Sequence, residues 1–286
     1  MPAEPTTSDL PLGAIPGSKE FGILVHEVFE RLDFTAPDAD LDAHLAELIA
    51  RRRGVANARV DAAALCAGLR AAIESPLGPC FGDGIRLRDL APADRLAELS
   101  FECTLATGGA AATDRTIGAL VCAHLDPGDP MRPWAERLAA GLFDVDLAGH
   151  LTGSIDAVFR ITDPATGEPR FVAVDYKSNL LRGPDRVARS ADYAPDRLPA
   201  AMADHHYPLQ ALIYLVVVHR YLRWRLPGYD PHRHLGGAAY LFVRGMTGPD
   251  TPVVDGHPHG VCTWTVPPTL VVALSDLLDG RGEETP

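Results

Sequence analysis

Apolar and polar positions follow two periods along this chain, and the switches between them mark its elements. Phe21, Leu24, Val25, Val28, Phe29 and Leu32 recur at helical spacing, which predicts a helix from about Glu20 to Asp33. Two more amphipathic helices are predicted over 38–53 and 60–74, with Gly54 and the Pro76/Gly78 pair as stops. From about 96 to 122 the pattern is strand-like, with β-branched residues and glycine breaks. Between Gly153 and Lys177, SIDAVFRI and RFVAVDYK read as the strands of a β-hairpin, joined by the turn-rich TDPATGEP. A long helix is predicted from about His206 to Arg225, stopped by Pro227-Gly228. The apolar continuity of GGAAYLFVR (236–244) predicts a buried strand, and a last helix is expected near 267–279. Residues 178–200 read as a long surface loop, and residues 1–18, rich in Pro, Gly, Ser and Thr, as a flexible linker. Strands and helices interleave without a regular βαβ rhythm, so the expected class is α/β with a mixed sheet.

The hairpin carries the chemistry. Its turn is centred near residue 165.5, so equal-distance pairing sets Asp156 opposite Asp175. Like charges directly opposite on a sheet repel. A divalent cation held between them would remove the repulsion, and oxygen ligands suit magnesium or manganese. Side-chain alternation puts Lys177 on the face of Asp175, while Ile155, Ala157, Phe159, Val172, Val174 and Tyr176 face the core. The competing reading is a solvent-exposed hairpin with a cross-strand salt bridge. Against it, VAVDY sets Asp175 in an apolar run, where a carboxylate needs a partner or a metal. Two carboxylates on a cation would activate a water and screen a phosphate, and the lysine would act on water and on transition-state charge. The reaction class implied is phosphodiester hydrolysis.

Charge and composition narrow this. The 286 residues carry 26 basic and 38 acidic side chains, a net charge of −12, so bulk electrostatics do not draw nucleic acid to the chain. DNA contact would need a local basic strip, for which Arg220, Arg223 and Arg225 with Arg182, Arg186 and Arg189 are candidates, or delivery by a partner. A solvated face is the other reading of those arginines. Only two basic residues are lysines, Lys19 and Lys177; the sole glutamine is Gln210 and the two asparagines are Asn57 and Asn179. All seven tyrosines lie between Tyr176 and Tyr240. Chemistry that commoner residues cannot supply is therefore concentrated after residue 170. Five scattered cysteines without a CxxC pair argue against a cysteine zinc site or an iron–sulfur cluster, and their odd number against a disulfide framework. The longest apolar run, Ala211 to Val218, is too short to span a bilayer, and no secretory leader is visible, which makes a cytoplasmic protein the expectation.

Taken together, GSIDAVFR, VAVDYKSN, HHYPLQALIYLVVVHRYLR and GGAAYLFVRG resemble the nuclease domain of exodeoxyribonuclease V beta subunits, the RecB type, within the PD-(D/E)xK superfamily. The resemblance runs from about residue 19 to residue 280, so 19–286 is expected to be one RecB-type nuclease domain. It implies a restriction-endonuclease-like αβββαβ core with a mixed central sheet flanked by helices. It also implies Mg²⁺-dependent DNA cleavage, as exonuclease and single-strand endonuclease, in double-strand break processing. By the same resemblance the metal ligands are His26, Asp156, Asp175 and the carbonyl of Tyr176, with Lys177 as the catalytic lysine. Glu98 matches a family acidic position less closely, and Gln210 with Tyr214 matches a QxxxY helix motif that contacts substrate and supports the site. The implied partners are DNA ends, the helicase portion of the beta subunit, the gamma subunit (RecC) and the alpha subunit (RecD). No Walker A motif occurs in the chain, so it reads as a nuclease-domain fragment or a stand-alone relative. Each residue also has a plainer reading. His26 is then a packed helix-flank histidine, Gln210 and Tyr214 are structural, and Tyr207, Tyr214 and Tyr221 form a heptad-spaced core stripe. Two other functions compete: a non-catalytic docking or regulatory module of a helicase complex, and a metal-dependent hydrolase of a small phosphoester.

Overall fold

The structure, a computed structural model, describes residues 9–53, 61–106, 112–143, 146–147, 149–182 and 187–281. Helices α1 (Lys19–Arg31), α2 (Asp38–Arg53) and α3 (Ala62–Glu74) come first. Strand β1 (Arg95–Leu105), a short β2 (Ala112–Thr113), helices α4 (Asp114–His124) and α5 (Arg132–Ala139) and a short β3 (Asp146–Leu147) follow. Next are β4 (Gly149–Thr162), β5 (Pro169–Lys177), α6 (Leu198–Asp204), α7 (Tyr207–Arg225) and α8 (Pro231–His234). The chain closes with β6 (Leu235–Phe242), the short β7 (Val253–Val254) and β8 (His257–Pro258), β9 (Val261–Trp264) and α9 (Pro268–Leu278).

The central sheet has five strands in the order β1-β4-β5-β6-β9. All its neighbours are antiparallel except β5 and β6, which run parallel. Along the chain the elements that build it read α1–β1–β4–β5–α7–β6, an αβββαβ order. The fold is therefore α/β with a mixed sheet flanked by helices, as expected for a restriction-endonuclease-like core.

Local chemistry explains the main elements. Ser18 caps α1, its hydroxyl accepting from the Phe21 amide at 3.1 Å, and the stripe Phe21, Leu24, Val25, Val28 and Phe29 is buried. The β4–β5 turn is closed by Asp163, whose Oδ1 accepts from the amides of Ala165 (2.8 Å) and Thr166 (3.2 Å). Helix α7 is apolar nearly all round because it lies within the molecule, with Ala211, Leu212, Leu215, Val216, Val217 and Val218 all buried. Gly237 in β6 has φ 88°, and a Cβ there would sit 2.6 Å from the Trp264 carbonyl oxygen, so only glycine admits β9 at this distance.

The sheet separates two apolar clusters. Ala157, Phe159, Val172, Val174 and Tyr176 pack with α1, α2 and α3, whereas Val158 and Ala173 pack with α7 and α9.

Three expectations change. Residues 114–124 are helical rather than strand-like. Thr113 and Thr116 cap each other's amides, and Ile117 and Val121 form a one-turn apolar pair. Residues 178–200, expected as surface loop, carry the buried Ala188, Tyr193 and Leu198, a 3-10 turn over Ser190–Tyr193 and the start of α6. Residues 9–18, expected as linker, are packed: Leu10, Leu12 and Ile15 are buried, and Arg244 binds the carbonyls of Leu12, Ile15 and Pro16. Residues 1–8 lie outside the described residues. No helix among the described residues is long and apolar enough to cross a membrane.

Candidate active site

The site lies where β4 and β5 part. Their ladder ends at Ala157↔Val174, so Asp156 and Asp175 hold the next register position, while β4 stays paired with β1 and β5 with β6. In place of a ladder bond, the Tyr176 amide donates to Asp156 Oδ2 at 2.8 Å. The fork admits residues from both helical layers. From α1, His26 Nδ1 stands 3.0 Å from Asp156 Oδ2. From α7, the Tyr214 hydroxyl reaches Asp175 Oδ2 at 3.4 Å. Ile155 differs from its expected place: it joins the α7-side cluster rather than that of Ala157 and Phe159. The change falls at a break in the β1–β4 ladder, which passes from Ala97↔Ala157 to Leu99↔Ile155 without the pair between them, where Glu98 is left-handed.

Asp175 and Lys177 share the α7 face of β5, as alternation requires. Asp175 is only 3% exposed and forms an ion pair through Oδ1 with the Lys177 ammonium. That ion pair is off the axis of a hydrogen bond, so the buried Oδ1 has no aligned donor. This burial excludes the exposed-hairpin reading. Lys177 Nζ also donates to Gln210 Oε1 at 3.1 Å, and Gln210 Nε2 donates to the Tyr214 oxygen at 2.8 Å. The amide orientation follows from chemistry, since an ammonium has only donors to offer. Gln210 and Tyr214 thus link lysine to carboxylate through one turn of α7.

Burial raises the Asp175 carboxyl above its ordinary range, and the Asp156 charge adds to this, while Lys177 and His26 oppose it. The hydrogen bond to Asp156 raises His26. Burial, then the Asp175 charge, holds the Tyr214 phenol far above its ordinary value, so it remains a donor. Both upward shifts at the carboxylate and the imidazole mean that the metal-free folded state binds protons more readily than the unfolded chain. Stability from Asp175 is then complete below its ordinary 3.8 and falls as pH rises, with His26 adding a further loss above 6.5. In chelator, the stability of wild type relative to Asp175→Asn is expected to fall from pH 4 to pH 8, because only the carboxyl loses a proton over that range. Urea midpoints of the two proteins read the trend. A difference that stays constant or moves in favour of wild type between pH 4 and pH 8 contradicts this electrostatic account.

The donor set of His26, Asp156 and Asp175, oxygen-rich with one imidazole, suits a hard divalent cation. The undirected Asp175 Oδ1 is the atom such an ion would satisfy. Among the described residues no three His, Cys, Asp or Glu side chains already converge as a coordination shell. The set instead stands as two pairs, His26 with Asp156 and Asp175 with Lys177. Glu98 is placed elsewhere. It falls at the position the β1–β4 ladder skips, its backbone is left-handed (φ 49°), and its carboxyl lies beside Glu30, which burial and Glu98 together push up. Gly22 of α1 admits the segment that follows β5: a Cβ there would lie 3.2 Å from Ser178 Oγ.

Among the arginines, Arg220 is engaged internally by Ser275 and Asp279. Arg182, Arg223 and Arg225 are exposed, Arg189 is half-buried, and Arg186 lies outside the described residues. Two residues read as core or left unassigned prove to border the site, Tyr207 and Tyr240. Both rings lie near the Lys177 ammonium, at 3.8 and 5.2 Å. The clustering of all tyrosines after residue 175 was the available signal.

No protein-family model matches the chain. Among curated proteins it is 47% identical over 285 residues to RecBCD enzyme subunit RecB of Mycolicibacterium smegmatis, covering 98% of this chain and 26% of that protein. It is 46% identical to the Mycobacterium tuberculosis subunit of the same name, over 94% of this chain and 24% of that protein. The Escherichia coli subunit is 32% identical over 96% of this chain and 20% of its own length. The chain thus spans about a quarter of the length of these relatives. Over nearly its whole length, then, the chain is similar to one segment of RecBCD enzyme subunit RecB.

Proposed function

We propose that this chain is the metal-dependent nuclease domain of a RecBCD-type helicase–nuclease, hydrolysing DNA phosphodiester bonds in double-strand break repair and recombination. The observation that carries the reading is the fork between β4 and β5. It gathers Asp156, Asp175 and Lys177 with an imidazole in one half-buried recess, on a fold of matching topology. Relatives named RecBCD enzyme subunit RecB support the same assignment.

His26, Asp156, Asp175 and the Tyr176 carbonyl would hold Mg²⁺. When bound, it would supply a water of lowered pKa and neutralise phosphate charge. The chain's own residues do the rest. The Tyr176 amide pins the Asp156 carboxylate. Lys177, faced by a carboxylate, an amide oxygen and two aromatic rings, donates its N–H groups to the attacking water and to the oxygen that gains charge in the transition state. Gln210 and Tyr214 keep lysine and carboxylate in register.

The net charge of −12 fits a domain to which strands are delivered. The partners proposed are DNA ends, the helicase portion of the same subunit, RecC and RecD, in the cytoplasm. The test is to incubate the purified chain with single-stranded DNA and Mg²⁺ or Mn²⁺, with a chelator control. Cleavage that requires the cation is expected, yielding fragments and nucleotides. No cleavage in either cation, with or without helicase partners, would replace this reading by the docking-module one.

A further inference from the structure

The Lys177 ammonium is gripped by more than its carboxylate. Its side chain is only 12% exposed. The Tyr207 ring centroid lies 3.8 Å from Nζ and that of Tyr240 5.2 Å away. The two rings are stacked, 5.5 Å apart and 20° from parallel, and His205 extends the stack outward at 5.2 Å and 20°.

The tyrosines come from different elements. Tyr240 occupies the β6 position paired with Asp175 in the parallel ladder. Tyr207 opens α7, one turn before Gln210. Hydrogen bonds lock the pair into the site. The Tyr240 hydroxyl lies 3.1 Å from both the Tyr207 carbonyl and Gln210 Oε1, and its proton is shared between them. The Tyr207 hydroxyl donates to Asn179 Oδ1 at 3.2 Å, two residues beyond the lysine.

We propose that Tyr207 and Tyr240 are positioning residues, a two-ring cradle that holds the Lys177 ammonium over Asp175 and aims it at the reacting phosphate. A lysine has a flexible four-carbon stem, and an ion pair alone leaves its ammonium free to swing around the carboxylate. A ring face adds an attraction directed along its normal and excludes water from one side of the charge. Gln210 Oε1 closes a third side. The consequence for rate rests on the nuclease reading, whereas the cradle itself does not.

The test exploits the two-lysine composition. In the full 286-residue chain labelled with ¹³C-lysine, the ε-methylene signals number two and are assigned with Lys19→Arg. Ring currents should displace the Lys177 signal upfield of that of Lys19. Tyr207→Leu should abolish the displacement and lower kcat for DNA cleavage about tenfold, near 1.4 kcal/mol, with KM unchanged. Tyr207→Phe keeps the ring face and should retain both the displacement and kcat. Tyr240→Phe keeps its ring but releases Gln210, and should retain the displacement while lowering kcat a few-fold.

Tyr207 is half-buried, so its variants are expected to fold, and a thermal melt checks this. A wild-type Lys177 signal coincident with that of Lys19 overturns the proposal. So does equal behaviour of the Leu and Phe variants at position 207 in kcat. If wild type does not cleave DNA yet its upfield signal is lost in Tyr207→Leu, the nuclease reading falls and the cradle stands.

Discussion

Lys177→Ala should lower kcat for DNA cleavage by about 10²–10³-fold, the usual cost of removing one directed transition-state donor, with secondary structure unchanged. The reason is geometric. The amine stands between Asp175 and Gln210, 3.1 Å from the amide oxygen. The adjacent phenols of Tyr214 and Tyr240 do not replace it, because they are committed to Asp175, Gln210 and the Tyr207 carbonyl, and His26 is engaged by Asp156. Lys177→Arg should recover little, since a planar fork does not fit a cradle shaped around a compact ammonium. Asp175→Ala should be at least as damaging, because it removes a proposed metal ligand and the lysine's counter-charge together. The measurement is steady-state cleavage of a labelled single strand with Mg²⁺, paired with circular dichroism. Wild-type kcat in folded Lys177→Ala would remove the mechanism.

Arg244→Ala should be the largest single loss of stability away from the site. Arg244 is fully buried, and burial lowers its guanidinium to about 10. Its donors reach four carbonyls: Ser178 at 2.9 Å, Leu12 at 2.5 Å, Ile15 at 2.7 Å and Pro16 at 3.2 Å, with its flat face 4.4 Å from the Phe21 ring. One side chain therefore fastens the segment before α1 to the loop that leaves Lys177. Its removal strips several carbonyls of their donor in a place water does not easily reach and leaves a void against Phe21. Such losses amount to about 3–5 kcal/mol. For a chain of this size that is a fall in Tm of roughly 10 °C. Arg244→Lys should restore only part of it, because one ammonium cannot span four carbonyls. A melting scan decides the matter, and a change under about 2 °C would show that the segment is held by other contacts.

Both predictions turn on long-range contacts, and these separate what was legible in the chain from what was not. The hairpin was legible because β4 and β5 are adjacent and their turn residues set the register; Asp156 and Asp175 then follow by counting. The long helix and the buried strand after it were legible from apolar continuity. The region after 105 was misread because Thr113 and Thr116 carry a β-branched signal while acting as helix caps. The polar and turn-forming composition of residues 9–18 conceals the buried Leu10, Leu12 and Ile15, and the carbonyls of Leu12, Ile15 and Pro16 are bound by an arginine 228–232 positions away. Tyr207 looked like one of three heptad-spaced core rings, yet its neighbours are Lys177, Tyr240 and His205.

By itself, the order of residues determined the periods, the turn and hence the facing of two acids with a lysine beside them, since these depend on local backbone geometry. It also carried the family resemblance, because near-identical segments imply similar folds. Only the tertiary structure decided that the strands part at Asp156, that an imidazole from α1 and an amide from α7 enter the gap, and that two rings close around the ammonium. Those outcomes depend on where helices far apart in the chain dock on the sheet, which is set by the sum of many apolar contacts rather than by any local pattern.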